Sequence, residues 1–218
     1  CSSSQELDEL QVLATTSGVK VCVYHNRRFD IAHQSLKLLI QSQRLGKLLR
    51  GDADYYGGWC HIGVHLVDMF QYLFDTPLRP KKMSFAYPSK YIADPTLNVE
   101  AELKGVPLRF TGHDEAYYQI VDINLKFEKG QIRIEDFGQE IRVFEKFVNQ
   151  ENENVLAIVP ELSGRGMVNS IINAVDTVIH YLKTGETACL APFDLSQAEL
   201  TMNTLWDGVK LYEDQSKK

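Results

Sequence analysis

The sequence predicts an α+β fold: a mainly antiparallel open sheet with helices on one face, preceded by one helix and one strand of a doubly wound α/β unit. Three observations lead there. Helical periodicity occupies both ends of the chain, before residue 75 and after residue 166. Between Lys82 and Val148 it gives way to short alternating runs such as Asn98–Leu103, Ile123–Phe127 and Gln131–Ile134, punctuated by Gly105, Gly112, Gly130 and Gly138. Finally, the near-continuous apolar run Val19–Tyr24 suits a parallel strand covered on both faces. The alternating runs suit a sheet with one face on the core and the other solvated or available to a partner.

The elements follow in order. Ser3 with Glu6 three residues later resembles a capping box, and Leu7, Leu10, Leu13 and Ala14 recur at helical spacing up to the stop signal Gly18. Val19–Tyr24 is the strand. After the polar run His25–Arg28, a second helix opens on Asp30 as N-cap, carries Ile31, Leu36, Leu39 and Ile40, and ends near Gly46. A strand over Leu48–Tyr56 enters the turn Gly57-Gly58, and a largely buried helix spans Cys60–Phe74, closed by Asp75 and Pro77. Beyond the sheet lie two helices: Met167–Lys183, ending at Gly185, and Leu195–Tyr212, beginning after Asp194. A division near residue 29 separates residues 1–29 from residues 30–218.

Composition narrows the function classes. With 218 residues, 44% of them hydrophobic, the chain can bury one sizeable core. A net charge of -6 argues against a surface that neutralises phosphates, so nucleic acid is not an expected partner. The longest apolar stretch, Ile171–Leu182, is broken by Asn173, Asp176 and His180, well short of the roughly 20 residues of a membrane span. Cys1, Cys22, Cys60 and Cys189 form no C-x-x-C pair, which points to a reducing, cytoplasmic setting. A chain opening on Cys1 instead of Met is expected to be a fragment or a processed product.

The densest group of titratable residues is His61, His65 and Asp68. On a helix from residue 60 they share one face on successive turns, and a histidine near a helix start is kept neutral by the dipole, available as a general base. Gly57 and Gly58 let backbone approach a ligand closely. Arg27 and Arg28 follow the end of the first strand, where ligands bind in open α/β sheets. Each has an ordinary structural alternative: helix histidines satisfied by neighbours, a common glycine turn, solvated loop arginines. Zinc is a further alternative, but a zinc-protease helix needs Glu directly after its first His, and Ile62 stands there. No metal site is assigned.

Tyr24–Asp30, Leu45–Leu48, the segment Gly57–Asp68, Ile171–Gly185 and Phe193–Ala198 together resemble ordered motifs of the Gfo/Idh/MocA oxidoreductases. The resemblance covers nearly the whole chain, and its family combines a Rossmann domain with the C-terminal sheet domain predicted here. It implies hydride transfer between NAD or NADP and a hydroxyl of a sugar, cyclitol or similar polyol. Residues 1–29 would be the remnant of the dinucleotide-binding domain, with residues 30–218 forming the substrate-binding and oligomerisation domain. His65 and His61 are the implied catalytic residues, with His65 accepting the substrate proton. Arg28, Trp59 and Asp68 would bind substrate, Gly57 and Gly58 would adjoin the cofactor, and the open sheet face would pair with a second subunit. Neither G-x-G-x-x-G nor the family's E-K-P lysine motif occurs in this sequence, so the cofactor would be held mainly by a domain outside it and the chain alone would be inactive. The family commonly has Asp where this chain has His61. A non-catalytic binding or assembly module on the same scaffold is the alternative reading.

Overall fold

A computed structural model describes residues 3–217, so Cys1 lies outside the described residues. Helix α1 (Ser4–Ser17) opens on Ser3, whose side chain accepts the Glu6 amide, and closes on Gly18 in the left-handed region. Helix α2 (Ile31–Gln41) opens on Asp30, which accepts the His33 amide, and strand β1 spans Leu48–Tyr55. Helix α3 (Gly63–Phe74) follows the glycine turn. Strands β2 (Arg79–Tyr87), β3 (Thr96–Leu103), β4 (Val106–Gly112), β5 (Val121–Phe127), β6 (Gly130–Glu135), β7 (Glu140–Val148), β8 (Asn154–Ile158) and β9 (Gly164–Arg165) complete the sheet. Helices α4 (Ser170–Thr184) and α5 (Leu195–Ser216) end the chain.

The strands run in the order β2-β3-β4-β1-β5-β6-β7-β8, with β9 on the side of β7, and every pair is antiparallel except β1 with β4. Register explains the two faces. Met83, Val99, Phe110, Ala53, Ile123, Ile134 and Ile141 face one another across seven strands and are all buried. The adjacent row is Lys82, Glu100, Arg109, Asp52, Asn124, Arg133 and Arg142, on the opposite, polar face. The inner row packs with α2, α3 and α5 through Leu36, Leu66, Phe70, Leu73 and Leu205. Each large apolar side chain so covered contributes roughly 1.5–3 kcal/mol.

A smaller cluster, Phe29, Ala174, Leu190 and Phe193, fixes the 3-10 turn Asn26–Phe29 against α4, with the Phe29 and Phe193 rings 4.0 Å apart. On its other face α4 exposes Ile171, Val175, Ile179 and Leu182.

Two elements differ from the sequence-based expectation. Val19–Tyr24 forms no β-ladder; among the described residues its interstrand-type bond is a single one, Val23 N–H to the Phe193 carbonyl at 3.0 Å. A parallel strand is recognised by an apolar run, but it becomes one only with neighbours on its flanks. The buried helix starts at Gly63 instead of Cys60; residues 59–62 form a separate turn in which the amides of Ile62 and Gly63 both donate to the Gly58 carbonyl.

Candidate functional site

The site is built on the turn at the C-terminal end of β1. Tyr55 is fully buried and its hydroxyl both donates to the Leu97 carbonyl at 2.7 Å and accepts from the Leu97 amide at 2.9 Å. The chain then reverses through Gly57 (φ 70) and Gly58 (φ 93). The Gly58 amide donates to Thr96 Oγ1 at 3.1 Å and the Trp59 amide to the Pro95 carbonyl at 3.1 Å. The Asp94 carboxylate accepts from the amides of Cys60 and His61, both at 2.8 Å. A Cβ on Gly58 would lie 2.3 Å from Asp94 Oδ2, so the glycine is required by the approach of this loop. Gly57 and Gly58 were expected beside a cofactor; the structure accounts for both within the chain itself.

Trp59, expected to touch substrate, points the other way. It is 0% exposed, edge-on to Tyr55 and Phe110, and its indole N–H donates to the Leu205 carbonyl at 3.2 Å. Its role is to anchor the turn to α5. A substrate-binding assignment from sequence failed here because aromatic residues serve cores and ligands alike.

Beneath the turn lies a buried ion pair. Arg28 Nε reaches both Asp68 oxygens at 3.1 Å and Nη2 reaches Oδ1 at 2.8 Å, with both side chains almost wholly covered. Thr201 adds its hydroxyl to Asp68 at 3.3 Å, and His25 Nε2 lies 3.7 Å away. Arg28 and Asp68, expected as substrate ligands, thus satisfy each other and shape the floor of the site. Arg27 is buried as well, donating from Nη2 to the Phe137 carbonyl at 2.9 Å, and burial pulls its pKa down to about 10. The alternative of solvated loop arginines does not hold.

His65 stands on the first turn of α3, half-buried. Burial, followed by the positive charge of Arg27 and by His25, pulls its pKa down to about 4, with Asp68 opposing. The imidazole is therefore neutral at neutral pH, a proton acceptor. The sequence argument reached the same state through the helix dipole; desolvation and Arg27 are the larger causes. His25 is pushed down too, chiefly by burial against the pull of Asp68.

His61 does not share the helix face. It lies in the preceding turn, exposed, with Nε2 2.6 Å from the Tyr91 hydroxyl and the two rings 4.0 Å apart. Asp68 being committed to Arg28 and His61 to Tyr91, the zinc alternative gains no support, and no group of three His, Cys, Asp or Glu among the described residues is arranged to hold a metal. The structure thus brings His65, Arg28 and Asp68 together with Arg27, which the sequence argument had also singled out, and with His25, which it passed over. It also adds Tyr91 and Asp94. The dipeptide Asp94-Pro95 marks a turn and could have flagged that loop, whereas nothing local identifies Tyr91.

No family model matches the chain. An uncharacterized oxidoreductase of Escherichia coli, YhhX, is 33% identical over 84 residues, covering 32% of this chain and 24% of the relative. Solved structures align over far more of the chain. A candidate NADPH-dependent oxidoreductase of Desulfitobacterium hafniense superposes with TM-score 0.79 at 14% identity, covering 98% of this chain and 68% of that one. The UDP-N-acetylglucosamine 3-dehydrogenase GnnA of Acidithiobacillus ferrooxidans gives 0.71 at 9%, covering 98% and 69%. A 3-ketoreductase of Actinomadura kijaniata, solved with TDP-benzene and NADP, gives 0.68 at 12%, covering 93% and 65%. The chain has the fold of Gfo/Idh/MocA-type oxidoreductases and spans about two thirds of these structures' length.

Proposed function

We propose that this chain is the substrate-binding part of an NAD(P)-dependent oxidoreductase that moves hydride between a nicotinamide and a hydroxyl-bearing carbon of a sugar, cyclitol or similar polyol. The observation that carries the reading is His65: a neutral, partly accessible imidazole held over a buried Arg28–Asp68 pair. One structural neighbour is named for the dehydrogenation of UDP-N-acetylglucosamine, and another, a 3-ketoreductase, was solved with NADP.

In this reading residues 1–29 belong to the dinucleotide-binding side and residues 30–218 to the substrate side. The residues present fit only part of a cofactor site, since the sequence has no glycine-rich phosphate loop. The chain by itself is accordingly inactive. When bound, the nicotinamide supplies the hydride acceptor or donor; the chain's own residues handle the proton. His65 takes the hydroxyl proton on oxidation and returns it on reduction. Arg27 and burial keep His65 free of a proton beforehand, and Arg28–Asp68 fixes the floor on which α3 stands. The polar outer sheet face, with its row from Glu100 to Arg142, is the surface through which two copies associate, and the setting is the cytoplasm.

The test is the pH dependence of kcat/KM in the complete polypeptide. With His65 as base the acid limb falls well below the ordinary histidine range, toward about 4, where burial and Arg27 hold the imidazole. A limb that persists unchanged in His65→Asn would remove His65 from the role.

A further inference from the structure

We propose that Tyr91 is a positioning residue: its hydroxyl donates to Nε2 of His61, holds the imidazole as the Nδ1–H tautomer, and so makes His61 a hydrogen-bond donor at the rim of the site. The tautomer stands on this contact and on the chemistry of its two partners. Only the identity of what the donor meets rests on the oxidoreductase reading above.

The direction of the bond follows from the chemistry of the two groups. The phenol hydroxyl and Nε2 are in direct hydrogen-bond contact at 2.6 Å, and a phenol O–H is a much stronger proton donor than a neutral imidazole N–H, whose bare ring nitrogen is the stronger acceptor of the pair. The phenol therefore gives the proton and Nε2 receives it. A neutral imidazole that accepts at Nε2 carries its own proton at Nδ1.

Both residues are held so that this pairing persists. Asp94 binds the His61 amide with its carboxylate, and its own amide donates to the Tyr91 carbonyl at 2.9 Å. Ser89 Oγ accepts the Tyr91 amide at 3.0 Å and donates to the Asp94 carbonyl at 2.7 Å. Lys90 Nζ stands 5.1 Å from the Tyr91 ring centroid while His61 packs on the ring at 4.0 Å. The loop thus delivers Tyr91 onto His61, and His61 itself remains exposed.

The consequence is chemical. An aspartate at this position would present an acceptor; His61 in the Nδ1–H form presents a donor. The matching ligand group is an acceptor oxygen at this rim, such as a carbonyl, which can only accept.

Nitrogen-15 NMR of the ring nitrogens tests the tautomer at mildly alkaline pH. His61 is expected as Nδ1–H in the wild type, and Tyr91→Phe, which keeps the ring and the Lys90 contact, shifts it toward Nε2–H, the form favoured in water. A wild-type Nε2–H tautomer, or no change in Tyr91→Phe, would overturn the proposal. The donor role is read by titrating myo-inositol and its monoketone. Tyr91→Phe is expected to weaken the ketone by about fivefold, the value of one ordinary hydrogen bond, and the alcohol by less. Equal weakening, or no response of His61 to either compound, would overturn that role. Failure of the oxidoreductase reading is separate: it would appear as His65 being dispensable for turnover, whatever the tautomer of His61.

Discussion

His65 and His25 are held without protons in the folded chain, and that has a thermodynamic signature. Their pKa values lie below the ordinary 6.5, so the unfolded chain binds more protons than the native one as pH falls through that value. Their contribution to stability is complete above about 6.5 and is lost as pH falls below it, for His65 down to about 4. For His65 alone the loss is on the order of 3 kcal/mol. Urea midpoints measured across this range are expected to fall, with His65→Asn flattening part of the fall; a midpoint independent of pH would contradict the electrostatic account. Asp68 tests the floor of the site. Replacing it with Ala leaves Arg28 buried without a counter-charge, which destabilises by roughly 3–5 kcal/mol, whereas a pair of no structural weight would cost under about 1. At this scale the sequence singled out His65 and Asp68 by helical spacing and Arg28 by its place after an expected strand, and the structure gathers the three at one end of the fold. The sequence could not identify His25 or Tyr91, which reach the site only through tertiary packing.

At the scale of elements, the segment from Tyr55 to Gly63 is set by two loops meeting, and neither loop dictates it alone. Helical periodicity runs back to Cys60, yet the helix begins at Gly63, after a turn folded onto the Gly58 carbonyl whose outer amides are held by Asp94, Pro95 and Thr96. Gly58→Ala probes this meeting directly. Its φ of 93 and the 2.3 Å approach of Asp94 predict destabilisation by more than about 2 kcal/mol, read as a lower denaturant midpoint, and a neutral substitution would mean the loop does not hold the turn as described. The caps at Ser3, Asp30, Asp194 and Gly185 were legible because their chemistry is local. The strand expected at Val19–Tyr24 was not, since strandness depends on neighbours.

Across the whole molecule, alternation along each strand was enough to foresee one large open sheet with a covered and an uncovered face. Strand order was not foreseeable, and it matters. β1 enters the middle of the sheet between β4 and β5, which puts the glycine turn, α3 and the β2–β3 loop at the same end. The site is therefore an outcome of topology: residues 25–28, 57–68 and 89–96 meet there with α5 behind them. The central claim is that this end of the fold holds the base of a hydride-transfer reaction. It is tested most directly by replacing His65 with Asn in the complete polypeptide and measuring NAD(P)-linked turnover of polyol substrates at saturating cofactor. The account predicts a loss of about 100-fold or more in kcat with the fold retained, the usual range for removal of a general base. Turnover equal to that of the wild type would contradict it.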